Sequence, residues 1–167
     1  MVTTGVVSGG GKMRKFMVLL LFLSALGSSA QASDALYSRD IKGGFERIYR
    51  DVYTGLEKAG FHVVYEAYIS NALAKHADEW GREYNKNGIE VVRSMVICSP
   101  WYANQLLNQD PKMIAVCPIN VTVTYKQGTA TVLFKRLATI GAGSPALGTL
   151  QEMDEKIIGV IAAVSAG

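Results

Sequence analysis

Residues 33–167 predict an α+β domain of two layers, a mostly antiparallel sheet with helices on one face. Two observations point there. The strand-like segments are half-polar: Ile119 to Tyr125 sets Ile, Val, Val and Tyr against Asn, Thr and Thr, as expected for a sheet with one wet face. Lys126-Gln127-Gly128 then turns the chain and Thr129 to Arg136 returns, which is a hairpin signal. A doubly wound parallel sheet would instead need near-continuous apolar strands.

The elements follow in order. Leu36 to Ile41 reads as a short first strand, broken by Gly43-Gly44. Phe45, Ile48, Tyr49, Val52 and Leu56 recur at helical spacing, with Glu46, Arg47, Arg50, Asp51 and Glu57 opposite. Gly60 ends that helix in the left-handed position that glycine adopts cheaply. Phe61 to Ile69 alternates Phe61, Val63, Tyr65, Ala67 and Ile69 as a strand. Ser70 or Asn71 can cap a second helix with a stripe of Leu73, Ala77, Trp80 and Tyr84. Asn85 to Gly88 is a turn, and Ile89 to Ile97 is a β-branched strand. Ser99-Pro100 reads as an N-cap and first helical residue of a short helix to about Leu107. Asn108-Gln109-Asp110-Pro111 stops it. After the hairpin, a loop of Thr139, Gly141, Gly143, Ser144 and Pro145 leads to a final helix. Its buried face is Leu147, Leu150, Met153, Ile157, Val160 and Ile161.

The first 32 residues read as a cleavable export signal. Lys12, Arg14 and Lys15 precede an apolar run from Phe16, and Ala30-Gln31-Ala32 supplies the small-residue cleavage site. The run is too short to span a bilayer, for which about 20 residues are needed. Met1 to Gly11 is uncharged, which makes Met13 a candidate start. Cleavage after Ala32 removes three of the 17 basic residues and none of the 14 acidic ones, so Ser33 to Gly167 carries fourteen of each. That balance gives no reason to expect a nucleic acid or, after cleavage, a membrane as partner. A single exported domain remains, with a small ligand or an envelope protein as the partner class.

The run Arg93 to Asn104, then Asp110-Pro111 and Ala115-Val116-Cys117-Pro118, resembles the bacterial family called domain of unknown function 302. The Glu57 to Phe61 helix end, Trp80 to Asn85, the hairpin at Gly128 and Gly143-Ser144-Pro145-Ala146 extend the resemblance from about Phe45 to Ile161. Ser99 stands where the family commonly has Asn. The resemblance implies a unit similar to one copy of the TATA-binding-protein domain, strand, helix, four strands, helix, with inserted helices. It implies no activity, since fold does not carry function. The family it resembles is bacterial, so for a domain that its leader marks as exported a periplasmic location is the expectation.

Chemistry-bearing residues are few. Cys98 and Cys117 are the only cysteines, each at a predicted strand end beside a proline. An exported pair of this kind is expected to form a structural disulfide, worth about 3 kcal/mol for a loop of about 20 residues. The alternative is a thiol site at Cys98, where the helix N-terminus favours a thiolate, acting as a sulfur or metal carrier or a redox enzyme. His62 reads as a solvated strand residue and His76 as a surface or cap residue; with the cysteines they have no metal-ligand spacing, so no metal site is expected. No phosphate-cradling loop or nucleophile elbow occurs and no cofactor is implied. Trp80 and Tyr84 fit a core stripe, while Trp101 and Tyr102 are adjacent, so one must face outward. Trp101, Tyr102, Asn104, Asn108 and Trp80 are the residues from which a small pocket beside Cys98 would be built. A non-catalytic binding domain is the leading expectation; self-association through an exposed strand edge is a third.

Overall fold

The computed structural model describes Met1 and residues 35–167. The proposed export signal falls on residues outside that description. Five strands form one sheet in the order β1-β5-β4-β3-β2: β1 Leu36–Lys42, β2 His62–Tyr68, β3 Val91–Cys98, β4 Ile119–Lys126 and β5 Thr129–Lys135. Every neighbouring pair is antiparallel. The long helices α1, Phe45–Lys58, and α6, Leu147–Ala163, pack beside each other on one layer. Smaller helices complete the chain: α2 Ile69–Ala74, α3 Ala77–Trp80, α4 Pro100–Gln109 and α5 Leu137–Ile140. Short 3-10 turns occupy Gly81–Glu83 and Pro111–Val116. This is the predicted two-layer α+β fold.

Local chemistry explains the strongest elements. The α1 stripe is buried as its spacing predicts. It ends in a Schellman motif: Phe61 N–H donates to the Leu56 carbonyl and Gly60 N–H to the Glu57 carbonyl, with Gly60 at φ +84°. Phe61 and Leu56, the two residues that meet across that motif, are both fully buried. The β4–β5 hairpin closes through Gln127 and Gly128, both at positive φ, with Lys126 opposite Thr129. That is the two-residue loop whose twist matches a sheet. Val121, Val123, Val132, Phe134, Met95 and Ile97 face the helices as the core. Helices α1 and α6 meet closely where Gly55 faces Val160; a Cβ at Gly55 would lie 2.6 Å from Val160 Cγ1.

Two expectations fail. Strand β2 does not keep one alternation, because a bulge between Val63 and Tyr65 shifts its register against β3. Past the bulge, Glu66 and Tyr68 stand opposite Met95 and Arg93, on the helix side. Tyr65 turns to the other face and is 64% exposed. The second helix is not continuous: the chain breaks at Lys75-His76 and again at Gly81, whose φ is +49°. Leu73 and Trp80 are therefore partly exposed rather than core. They line a hollow of about 120 Å³ with Val92, which alternation places on the sheet face away from α1. The expected stop after α4 holds: the helix ends at Gln109, and a 3-10 turn follows in which the Asp110 side chain accepts the Lys112 N–H at 3.1 Å.

Candidate functional site

An open groove of about 850 Å³ lies between residues 136–147 and one face of α6. Helix α6 contributes Leu147, Gln151, Asp154, Glu155, Ile158 and Gly159; the facing wall contributes Arg136, Ala138, Thr139, Ala142 and Gly143. The volume lies in the range of about 300–1,000 Å³ typical of small-molecule sites.

That wall is held by specific contacts. Asp154 is a carboxylate inside the otherwise apolar buried stripe of α6. Its oxygens accept the N–H groups of Leu137 at 2.7 Å and Ala138 at 3.1 Å. Burial raises its pKa, and those two N–H bonds and nearby Arg136 pull it back only in part. Gly141 packs under Leu150 so tightly that a Cβ there would overlap Leu150 Cδ1. Ser144 Oγ donates to Asp110 at 2.7 Å and accepts the Ala146 N–H at 3.1 Å. A wall fixed at three places is preorganised for binding. The described lining residues include no thiol, imidazole or serine. The groove offers apolar walls with carboxylate, amide, hydroxyl and guanidinium groups at their edges.

The residues expected to form a pocket beside Cys98 are placed otherwise. Trp101 stands in solvent, 65% exposed, with Asn104 and Asn108 also exposed on α4. Tyr102 is the inward member of the pair. Its ring stacks on Phe61 at 5.5 Å, and its hydroxyl donates to Glu152 Oε1 at 2.6 Å. Lys156 sits 5.2 Å above the ring and pairs with Glu152 at 3.3 Å. Burial first, then Glu152, raises the Tyr102 pKa; the Tyr102 hydroxyl and Lys156 lower that of Glu152. This cluster ties α4 to α6. Trp80 lies toward the other end of β3, near Val92, where His76 stacks on it at 5.0 Å.

Cys98 and Cys117 are both free thiols, which corrects the expected disulfide. They are nevertheless neighbours. Strands β3 and β4 pair as far as Ile97 opposite Ile119, so Cys98 leaves the ladder where Cys117 and Pro118 enter it. The Cys117 thiol is pushed up by burial and then by Cys98. His62, opposite Cys98 in the β2–β3 register, is engaged with Glu57 through Nδ1 at 3.0 Å. No group of three or more His, Cys, Asp or Glu among the described residues could hold a metal ion.

Sequence reasoning missed the groove. Its one legible sign is Asp154, a charged residue on the buried face of the last helix next to a Gly- and Ser-rich loop.

No curated protein matches the chain. The crystal structure of an uncharacterized conserved protein DUF302 from Bacillus stearothermophilus superimposes with a TM-score of 0.65 at 17% identity, covering 77% of this chain and 96% of that one. At that identity the likeness concerns the fold. The family model for the domain of unknown function DUF302 matches residues 37–164, nearly the whole of the sheet and helices described above, and the chain belongs to that family.

Proposed function

We propose that this chain is exported by a cleavable leader and acts in the periplasm as a non-catalytic binding domain, its small ligand seated in the groove along α6. The supporting observation is the groove itself: about 850 Å³, with a wall tied to the buried Asp154 carboxylate by two backbone N–H bonds. The lining favours a ligand with an apolar body, to cover Leu147, Ile158 and Ala142, and a hydrogen-bond-donating head for Glu155 and Gln151.

Gly159 provides the test. A Cβ there meets nothing within 4 Å, and the position lies inside α6. Gly159→Leu fills the groove while improving helix propensity by about 1 kcal/mol. Benzylamine and its alcohol analogue, titrated by ligand-observed NMR, are expected to bind the native chain and to lose binding in Gly159→Leu. Equal binding to both proteins would remove the groove as the site.

A second reading rests on a different observation. Strand β2 is an edge of the sheet, and Val64, Tyr65 and Tyr68 on it are exposed. Self-association through that edge predicts a mass that rises with concentration in light scattering and falls to monomer in Tyr65→Lys; a monomer at every concentration eliminates it.

A further inference from the structure

We propose that a hollow between α1 and the β2 edge of the sheet binds an uncharged polyhydroxylated ring, the chemistry of a neutral pyranose sugar. The hollow measures about 280 Å³, near the lower end of small-molecule sites, and shares no lining residue with the groove along α6. Tyr49 lies deepest in it, with Tyr53 of α1 and Tyr68 of β2 at its sides. The observation that points to a ligand is the Tyr49 hydroxyl. The side chain is 4% exposed and is held by the Phe45 ring at 5.5 Å and the Arg93 guanidinium at 4.8 Å, yet the hydroxyl has no hydrogen-bond partner. A buried hydroxyl left unpaired is a standing cost to folding. Burial first, and then the nearby Glu66 carboxylate, push its pKa up, so it stays a neutral donor.

The charges select the class of ligand. Glu46 and Glu66 balance Arg50 and Arg93, so the hollow has no net charge to attract an ion. Arg93 is already satisfied: it grips Glu46 at 3.0 and 3.2 Å and lies within 5.0 Å of the Phe45, Tyr49 and Tyr68 ring centroids. An anion would have to displace Glu46 from that two-point clamp, and a cation would meet both guanidiniums. A hydroxyl, by contrast, both donates and accepts. Between Tyr49 and Glu66, one ligand hydroxyl accepts from the phenol and donates to the carboxylate; an ammonium cannot accept and a carboxylate cannot donate. Glu46, whose side chain is 67% exposed, keeps lone pairs for a second hydroxyl. The Tyr53 and Tyr68 rings offer apolar surface to the C–H face of a sugar ring.

The experiment is a titration of isotope-labelled protein with methyl glucoside, methyl galactoside and methyl mannoside, followed by amide shifts, beside glucosamine and glucuronate as charged counterparts. At least one neutral glycoside is expected to bind, with shifts at Tyr53, Glu66, Tyr68 and Arg93, and both charged sugars to bind more weakly. Glu66→Gln keeps the side chain's size and loses a charge-assisted bond, so it should weaken binding of that glycoside by about tenfold or more. Tyr49→Phe removes the unpartnered hydroxyl. It is expected to raise the thermal midpoint of the free protein and to weaken the glycoside by about threefold or more, a combination that a purely structural hydroxyl does not give. No shift with any of the three glycosides, shifts centred on the α6 groove, or tighter binding of a charged sugar would each overturn the proposal. So would unchanged binding in either variant, or a lowered midpoint in Tyr49→Phe.

Discussion

Two carboxylates respond to pH with opposite signs. Glu57 accepts the Val63 N–H at 2.7 Å and meets His62 Nδ1 at 3.0 Å. The backbone bond first, then His62, lowers its pKa. A lowered folded-state pKa means stability present above the unfolded value and lost as pH falls through the folded one. Asp154 is the reverse. Its pKa is raised above 3.8, chiefly by burial, so its titration favours folding in acid, and that contribution is lost as pH rises through the folded value. In denaturant titrations across the carboxylate range, the deficit of Glu57→Gln is expected to shrink on acidification. The deficit of Asp154→Ala is expected to be largest in acid and to diminish above it. At every pH Asp154→Ala also leaves two backbone N–H groups unpaired, at about 1–3 kcal/mol each where they stay buried. Parallel slopes for the two variants would contradict the assigned causes. Tyr102 gives a simpler contrast. Tyr102→Phe keeps the stack on Phe61 and loses only the Glu152 bond, so its midpoint falls slightly; Tyr102→Ala loses the buried ring, at about 3–5 kcal/mol.

Between elements, the closest packing is at Gly55, where α1 meets Val160 of α6. Gly55→Ala would gain up to about 1 kcal/mol of helix propensity. Against that stands a contact of 2.6 Å with a stiff β-branched side chain, and overpacking costs about 1–3 kcal/mol. The single substitution is expected to destabilise, and Val160→Ala in the same chain to recover much of the loss, as a double-mutant cycle by thermal denaturation would show. The elements that were legible in the sequence are those with local codes. The α1 stripe, the Gly60 stop, the Gln127-Gly128 turn and the Ser99-Pro100 helix start each depend on residues within one turn of each other. The elements that were not legible depend on distant partners. Nothing near Val63 announces the bulge that turns Tyr65 outward, because the register is set by β3. The apparent stripe Leu73, Ala77, Trp80, Tyr84 has helical spacing, yet it meets only a small hollow beside Val92 and Ile89, and it breaks at His76 and Gly81.

Across the whole molecule, the candidate site is the least legible feature for the same reason. The groove exists only once residues 136–147 fold back on α6, and its lining residues are unremarkable singly. The aromatics that drew notice in the sequence serve packing, as Tyr102 does, or stand in solvent, as Trp101 does. The cysteines were legible as a pair but not in their bonding, since spacing along a chain does not fix sulfur-to-sulfur geometry. Export belongs to this scale too. Intact mass of the protein recovered from its own cell envelope is expected to begin at Ser33, with both thiols alkylated without prior reduction. An unprocessed N-terminus would remove the periplasmic assignment.

The most direct test of a binding function is a map of amide shifts on adding benzylamine to isotope-labelled protein. Shifts concentrated at Thr139, Gly143, Gln151, Glu155 and Ile158, and absent in Gly159→Leu, are the predicted result. Shifts centred on Trp101, Asn104 and Asn108 instead, or none at all, would contradict a ligand site in the groove.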